Sequence, residues 1–250
     1  MKRVVITGAS GFIGSYLVKH LKGIEIKTLS LKSPNWVKQS LDCDVIVHCA
    51  GLAHSTRSIS EETYYQVNCE LTKQLIEKAI NEQVSHVIFL STALVFGEGH
   101  VGAITYDNLL NPMSAYAKSK VCAEQTILDS KELKGLIVRL PLVLGDSPKG
   151  NLRSLARLAK VSPVFIKVPN RRSILTLPDL TQLIQEAIEQ QQIGILHPKS
   201  YDCSTSELYQ QYRPNAWMIP VPTVLLKWVR ARSRFFAKLF GDFYYEDIPS

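Results

Sequence analysis

Short apolar runs alternate with longer segments of helical periodicity through the first half of the chain. Five runs are short and rich in Val, Ile or Leu, and each predicts a buried strand. They are Arg3–Thr7, Ile24–Leu31, Asp44–Cys49, Ser85–Thr92 and Gly135–Leu140. Apolar residues between them recur every three or four positions, which predicts helices from Phe12, over Val67–Gln83 and over Ser114–Ser130. The alternation predicts an α/β fold with a doubly wound, Rossmann-like parallel sheet covered on both faces.

Loops become longer and richer in proline after Pro141, where only Leu152–Lys160 and Asp179–Gln192 are predicted to be helical. We therefore predict a main domain over 1–141 and a small C-terminal lobe over 142–222, interleaved with the main domain. The lobe is expected to close over the carboxyl ends of the strands. A basic amphipathic segment follows over 223–250.

Composition places the chain among globular proteins, since 46% of its 250 residues are hydrophobic and 20% are charged. No uncharged apolar window reaches the length of about 18 residues that a membrane span needs. The N-terminus lacks the pattern of a signal peptide, so a cytoplasmic location is expected. The five cysteines include no C-x-x-C pair and are predicted to be reduced core thiols. The scattered histidines predict no metal site.

The net charge of +7 is concentrated near the C-terminus, in a stretch without any acid between Thr223 and Gly241. Its five cations are Lys227, Arg230, Arg232, Arg234 and Lys238. The remainder carries only +2, which argues against nucleic-acid binding. The segment 223–240 has two interpretations: contact with an anionic membrane surface, or packing on the domain or on a second subunit as in a homodimer. The second is favoured, because apolar stripes more often bury in protein.

A glycine-rich turn separates the first strand from the first helix, with Gly8, Gly11 and Gly14 three residues apart. Gly8 permits a tight turn, Gly11 lets the backbone approach a pyrophosphate, and Gly14 lets the helix pack close to the strand. The N–H groups of the helix N-terminus then face the phosphates of a dinucleotide. A glycine turn without a ligand is the alternative.

Two further motifs carry candidate chemistry. Tyr116 and Lys120 are one helical turn apart, and an ammonium beside a phenol is expected to lower the pKa of Tyr116 towards neutrality. Tyr116 would then exchange a proton with a carbonyl or hydroxyl group, whereas the alternative is a solvated surface pair. Ser91 and Thr92 end a predicted strand, where either hydroxyl could orient a substrate oxygen or merely cap a turn.

In this order the motifs resemble the extended short-chain dehydrogenase/reductase superfamily, in its NAD(P)-dependent epimerase/dehydratase branch, from about Arg3 to Ile188. The segments Asp44–Gly51, Val67-Asn68 and Arg139–Pro141 also resemble that branch. The resemblance implies that Thr92, Tyr116 and Lys120 are catalytic, with Tyr116 as the acid/base. It also implies an NAD(P)-binding role for the main domain. The implied cofactor contacts are Gly8, Gly11, Phe12, Ile13, Gly14, Ser30, Lys32, Ala50, Asn68, Tyr116, Lys120 and Pro141.

The C-terminal lobe resembles that of bacterial UDP-4-keto-6-deoxy-N-acetylhexosamine 4-reductases, in the segments Leu142–Asn151 and Asn170–Leu180. Asn151 and Arg172 are then expected to contact the diphosphate of a UDP-linked sugar. The implied function is NAD(P)H-dependent reduction of a C4 ketone for surface polysaccharide synthesis. Two alternatives stay open: a UDP-sugar 4-epimerase with tightly bound NAD, and a non-catalytic dinucleotide-binding scaffold.

Two departures from the branch concern the adenosine end of the cofactor. The second strand ends without the acid that often binds the ribose of NAD, and Ser30 and Lys32 are placed to receive a 2′-phosphate instead. NADP(H) is therefore favoured. The stretch Ser33–Asp42 is too short for the usual helix and third strand, which leaves the adenine pocket unassigned. Ala93-Leu94 after Thr92 also differs from the Asp-Glu that the dehydratases of the branch usually carry.

Overall fold

The structure, a computed structural model, describes residues 1–53, 59–97, 102–145, 150–222 and 241–246, with only the backbone at 150 and 151. The strands are β1 (Lys2–Thr7), β2 (Ile24–Leu29), β3 (Val45–His48), β4 (His86–Thr92), β5 (Ala103–Ile104), β6 (Lys134–Leu140), β7 (Leu142–Leu144), β8 (Val164–Lys167), β9 (Arg172–Thr176), β10 (Gly194–Leu196), β11 (Tyr201–Cys203), β12 (Trp217–Pro220) and β13 (Tyr244–Tyr245). The α-helices are α1 (Phe12–His20), α2 (Glu61–Tyr65), α3 (Leu71–Asn81), α4 (Ala115–Leu128), α5 (Gly150–Val161), α6 (Leu177–Gln190) and α7 (Thr205–Tyr212).

The chain forms two compact units. The first comprises residues 1–95, 112–140 and 177–198, and the second comprises 96–111, 141–176 and 199–250. Each unit consists of three separate stretches of the chain, whereas the predicted domains are continuous stretches. The predicted domain boundaries stay a prediction.

The first unit is built on a six-stranded sheet in the order β10-β6-β4-β3-β1-β2, and every pairing in it is parallel. All residues of β3 and β4 are buried, as expected for strands that have both faces covered. The predicted α/β class and Rossmann-like sheet are therefore confirmed. The five predicted strands all form, and β10 is a sixth that the sequence pattern did not indicate.

The strand order reverses beside β1. The chain passes from β1 to β2 on one side and then returns to form β3 on the other side. Thr7 at the end of β1 stands in register with His48 at the end of β3. In open parallel sheets, ligands bind at such a reversal, outside the carboxyl ends of the strands.

The segment before α3 departs from the predicted helix. Residues Gln66–Glu70 form a π-helical turn, which holds an extra residue and changes the phase of the helix that follows. Leu75 and Ala79 are buried, whereas Val67, Leu71 and Ile80 are only partly buried. The buried face instead includes Asn68, Cys69, Thr72 and Ile76.

The second unit contains three small sheets, in the orders β11-β9-β7, β12-β8 and β13-β5. Its core joins α5, α7 and the strands of the first two of these sheets, with the ring of Phe165 stacked on Tyr209 at 4.1 Å between centroids. Helix α7 was not predicted. Its signal was a capping box, in which the Ser204 side chain accepts the Glu207 N–H and Glu207 accepts the Ser204 N–H.

The prediction that all five cysteines are reduced thiols is wrong for one pair. Cys69 and Cys122 form a disulfide between the π-helical turn and α4, with 5.6 Å between their Cα atoms. Cysteine spacing along the chain missed it because these residues lie 53 positions apart and meet only through helix packing. Cys43, Cys49 and Cys203 are free thiols.

No helix in the described ranges is long and apolar enough to cross a membrane. The basic segment 223–240 lies outside those ranges. Its membrane contact or packing role, and the homodimer, stay predictions.

Candidate active site

The glycine turn between β1 and α1 forms a tight backbone cradle. Gly8 has a φ of +70°, and a Cβ there would stand 2.6 Å from the Ala50 nitrogen. A Cβ on Gly14 would stand 2.3 Å from the Gly8 carbonyl oxygen. Gly11 is the N-cap of α1, no side chain caps that helix, and its first turn carries no acid. The cradle therefore leaves the positive end of α1 without a side-chain partner at its cap.

A buried histidine fixes the loop after β3 against this turn. The Nδ1 atom of His48 lies 2.6 Å from the Thr7 hydroxyl, and its Nε2 atom lies 2.9 Å from the Thr72 hydroxyl. Thr72 donates its proton to the Asn68 carbonyl, so Nε2 must donate to Thr72 and Nδ1 must accept from Thr7. Burial lowers the pKa of His48 to about 3, which keeps the ring neutral. The Thr7 oxygen then accepts the Ala50 N–H at 3.2 Å and sets the position of Ala50.

Asn68 holds the next residues of the same loop. Its side chain accepts the Leu52 N–H at 2.6 Å and donates to the Leu52 carbonyl and to the Ser119 hydroxyl, both at 3.0 Å. These contacts are with protein groups, so the structure gives Asn68 a role in shaping the loop. Its direct contact with the cofactor stays a prediction.

Tyr116, Thr92 and Lys120 meet at the carboxyl end of β4. Ser114 caps α4 by accepting the Ala117 N–H at 3.2 Å, which starts the helix just before Tyr116. The Thr92 hydroxyl hydrogen-bonds the Tyr116 phenol. The Lys120 ammonium donates to the Leu90 carbonyl at 2.7 Å and lies 3.8 Å from the centroid of the Phe89 ring. A Cβ built on Gly51 would lie 4.0 Å from that ammonium, which places Lys120 beside the loop after β3.

The expected lowering of the Tyr116 pKa is wrong for this arrangement. Burial raises the pKa of Tyr116 to about 12, and the hydrogen bond from Thr92 only partly opposes that rise. Burial also lowers the pKa of Lys120 to about 7, and the negative charge of Glu124 opposes that fall. The ammonium is directed to the Leu90 carbonyl, and so it does not lower the pKa of the Tyr116 phenol towards 7.

Side chains alternate along β4, so Ser91 and Thr92 point to different faces of the strand. The Ser91 hydroxyl points to the other face and donates to the Glu124 carboxylate. Glu124 forms a buried ion pair with Arg139, with 2.8 Å between Oε2 and Nη2. Glu124 was not among the predicted site residues. Its signal was its position four residues after Lys120, on the same helix face.

The remaining predicted cofactor residues of the main domain are accessible. Ser30 and Lys32 are exposed just after β2, which ends at Leu29 and not at Leu31 as predicted. Phe12 and Ile13 are partly buried in the first turn of α1, and Pro141 follows directly after β6. Between β2 and β3 the chain forms a single 3₁₀ turn around the buried Trp36, in place of the usual helix and strand.

The two residues that are predicted to contact the substrate diphosphate, Asn151 and Arg172, lie in the second unit. Arg172 is partly buried at the start of β9, opposite Cys203 on β11, and burial lowers the pKa of its guanidinium. The neighbouring Arg171 forms an ion pair with Asp202 at 2.6 Å and stacks on the Tyr244 ring. Asn151 lies in the first turn of α5, and its side chain is outside the described part of the structure.

Comparison with models of protein families shows which family contains this combination of turn, loop and helix. The model of the NAD dependent epimerase/dehydratase family matches residues 4–185. The chain belongs to this family. The predicted superfamily, the NAD(P) cofactor class and the enzyme class are thereby confirmed.

Individual relatives of this epimerase/dehydratase chain include both epimerases and reductases. It is 28% identical to a UDP-glucose 4-epimerase of Vibrio cholerae, over 96% of this chain and 83% of the relative. It is 27% identical to a dTDP-4-dehydrorhamnose reductase of Aggregatibacter actinomycetemcomitans, over 64% of this chain and 58% of the relative. Apart from the Vibrio cholerae protein, the curated relatives that the chain matches are covered over 44–64% of their own length.

The fold is also that of solved structures. A dTDP-4-dehydrorhamnose reductase from Bacillus anthracis, in complex with NADP, superposes with a TM-score of 0.77 at 21% identity. The match covers 99% of this chain and 91% of the other. At this identity the likeness confirms the fold.

The family's dinucleotide fits the residues of this epimerase/dehydratase chain. The cradle at Gly8 and Gly14 has no room for a Cβ, and the helix N-terminus at Gly11 carries no competing acid. Such a helix start is suited to a pyrophosphate. The ammonium of Lys120 beside Gly51 is suited to a ribose hydroxyl.

Proposed function

We propose that this chain is an NAD(P)H-dependent reductase of the C4 ketone of a nucleotide-activated deoxysugar, used to make a bacterial surface polysaccharide. The observation that carries the proposal is the Tyr116 phenol, which is hydrogen-bonded to Thr92 and whose pKa burial raises to about 12. Such a phenol keeps its proton at neutral pH. It is therefore suited to protonate an oxygen that gains negative charge, as a ketone oxygen does on reduction.

Each residue of the site then has a defined task. The bound nicotinamide supplies the hydride that C4 receives. Tyr116 gives its proton to the C4 oxygen, so that the ketone becomes an alcohol and the phenol becomes a phenolate. When the substrate binds, the Thr92 hydroxyl turns from the phenol and donates its hydrogen bond to the same oxygen. Lys120 binds the cofactor ribose, and the Tyr116 phenolate, which Thr92 then stabilises by its hydrogen bond, is reprotonated from solvent.

The diphosphate of the substrate is assigned to Asn151 and Arg172. A guanidinium presents two parallel donors to phosphate oxygens and so holds both position and orientation. Holding the diphosphate fixes the sugar relative to the nicotinamide.

A 4-epimerase is the second candidate, and the match to the Vibrio cholerae UDP-glucose 4-epimerase over 96% of this chain favours it. An epimerase takes a hydride from C4, turns the keto sugar over, and returns the hydride. The same residues serve both reactions, and the difference lies in the fate of the cofactor.

The two candidates are separated by incubating the purified chain with a UDP-4-keto-6-deoxy-N-acetylhexosamine and either NADH or NADPH. A reductase consumes one reduced cofactor for each alcohol formed. An epimerase retains NAD through purification and interconverts UDP-sugars without net consumption. Failure of both reactions across a panel of UDP- and dTDP-linked sugars would contradict a nucleotide-sugar function.

The cofactor preference is expected to depend on Lys32. With no acid at the end of β2 and an exposed cation at Lys32, kcat/KM should be higher with NADPH than with NADH. Lys32→Ala should lower kcat/KM for NADPH by up to about tenfold, the scale of one exposed charged contact, and leave NADH unaffected. Lys22→Ala, before the start of β2, is the control. A preference for NADH that Lys32→Ala does not change would overturn the assignment.

Arg172→Ala is expected to raise the KM for the nucleotide sugar by about 10- to 100-fold, since a charge-assisted hydrogen bond contributes about 1.5–3 kcal/mol. Affinity for NAD(P)H should barely change, because the glycine turn binds that ligand. Arg172→Lys should recover only part of the loss, because an ammonium lacks the guanidinium fork.

The matched control for this prediction is Arg171→Ala. That arginine is already engaged with Asp202 and Tyr244, so its loss should affect stability and leave UDP affinity intact. Calorimetric titration of free UDP into the three proteins makes the comparison. Equal affinity in wild type and Arg172→Ala would mean that Arg172 is not a substrate ligand.

A further inference from the structure

A buried polar network is centred on Glu124, which follows Lys120 by one turn of α4. Glu124 from α4 is 1% exposed, and its carboxylate accepts hydrogen bonds from Ser91 at the end of β4 and from Arg139 at the end of β6. Arg139 is 6% exposed and also approaches His197, with 3.5 Å between Nη1 and Nε2. Three elements of the site are thus joined through one carboxylate.

The position of Glu124 connects it both to Lys120 on α4 and to the end of β4 that carries Thr92. It follows Lys120 by one helical turn, so the two side chains share a face of α4. It also holds Ser91, whose neighbour Thr92 turns the opposite way and meets Tyr116. Arg139 holds the carboxylate from behind through its Nε and Nη2 atoms.

The other groups around Lys120 offer it little negative charge. Burial raises the pKa of Cys49 to about 12 and that of Tyr116 to about 12, so both keep their protons at neutral pH. Burial lowers the pKa of His48 to about 3, so its ring is neutral. Glu124 lies one helical turn from Lys120 on α4, its carboxylate and the ammonium reach the adjacent β4 residues Ser91 and Leu90, and its charge opposes the effect of burial on Lys120.

We propose that Glu124 is a positioning residue that keeps the buried Lys120 side chain charged and, through Ser91, fixes the strand end that presents Thr92. The inference rests on the proposed function, in which Lys120 must be an ammonium to bind the cofactor ribose. An ion pair with Arg139 that merely holds α4 against β6 is the competing role. That role predicts a loss of stability without any change in the charge of Lys120.

The direct test measures the titration of Lys120 in the protein without substrate. Wild type, Glu124→Gln and Asp129→Asn are labelled with lysine carrying ¹³C at Cε, and the Lys120 resonance is assigned from its absence in Lys120→Met. Asp129 is the matched control, because it is an exposed carboxylate at the end of the same helix.

Glu124→Gln should lower the titration midpoint of Lys120 by about one pH unit or more, since removing a nearby opposite charge lets burial act unopposed. The midpoint should be unchanged in Asp129→Asn. An unchanged midpoint in folded Glu124→Gln would overturn the proposal. This measurement requires no turnover, so its outcome stands apart from whether the sugar assignment is correct.

Turnover gives the second readout. Because activity requires the charged form, it is lost as the pH rises through the pKa of Lys120. This limb of the pH–rate profile should therefore move to lower pH in Glu124→Gln, by the same interval that the resonance moves. A uniform fall in kcat at every pH, with the limb in place, would indicate a structural role only.

Glu124→Gln leaves Arg139 without its carboxylate and could fail to fold. The double variant Glu124→Gln/Arg139→Gln then replaces the ion pair by two amides, which is often tolerated. The Lys120 midpoint should fall in this variant too, by less than in the single variant because a cation is also removed. A midpoint at the wild-type value would again contradict the proposal.

Discussion

Tyr116→Phe is expected to lower turnover of the keto sugar by about 10²-fold or more, while NAD(P)H affinity stays close to that of the wild type. The substitution removes the proton donor and the hydrogen-bond partner of Thr92, and it keeps the ring that packs edge-on against Tyr64 at 6.2 Å. Hydride arrival at C4 would then leave an oxygen anion with no positioned acid. Single-turnover kinetics separate this chemical step from binding, and fluorescence titration measures the cofactor affinity.

Tyr65→Phe provides the control for this substitution. Tyr65 is an exposed residue whose phenol contacts Lys73, at 3.2 Å, and Glu70. Its loss should leave turnover unchanged. Wild-type turnover in Tyr116→Phe would refute the assigned acid. Loss of cofactor binding in that variant would point to a role for the phenol in the dinucleotide site.

The parts of the site that follow from local pattern were predicted from the sequence. The glycine spacing predicted a turn that only Gly8 and Gly14 can make, because each conformation or contact there excludes a Cβ. The interval between Tyr116 and Lys120 placed both on one face of α4, because a helix repeats every 3.6 residues. The short apolar runs predicted the five parallel strands for a similar reason.

The electrostatics of the site were not predictable in this way. The ammonium of Lys120 is directed to the Leu90 carbonyl and the Phe89 ring, which lie about thirty positions earlier in the chain. The spacing between Tyr116 and Lys120 in the sequence gives no information about either of these contacts. It also omits the cost of burying a charge, which raises the pKa of one group and lowers that of the other.

Contacts across the fold account for the other differences. The π-helical turn at Gln66–Glu70 changes the buried face of α3. A prediction that assumes the regular α-helical repeat along the whole segment cannot locate such a turn. The side chain of Asn68 contacts the Leu52 backbone and Ser119, which the sequence did not indicate. These partners are brought together by tertiary packing and leave little mark on local sequence.

Gly11→Val is expected to abolish measurable NAD(P)H binding while the protein remains folded. Gly11 has a φ of −80° and a ψ of 174°, an extended conformation that valine adopts readily. A Cβ at this position would meet only the Gly8 oxygen, at 3.1 Å, so the fold needs to yield by a few tenths of an ångström. The added methyl groups would instead occupy the space in front of the α1 N-terminus, where the pyrophosphate is expected.

Loss of two charge-assisted hydrogen bonds to the pyrophosphate corresponds to about 3 kcal/mol or more, and hence to a fall in affinity of about 10²-fold or more. Gly14→Ala gives the informative contrast, because its Cβ would lie 2.3 Å from the Gly8 oxygen and must displace backbone. That variant should lose thermal stability as well as binding. Calorimetry and thermal unfolding of both proteins make the comparison. Unchanged NAD(P)H affinity in a folded Gly11→Val protein would remove the phosphate-binding role from this turn, because the side chain would then stand where the ligand is supposed to lie.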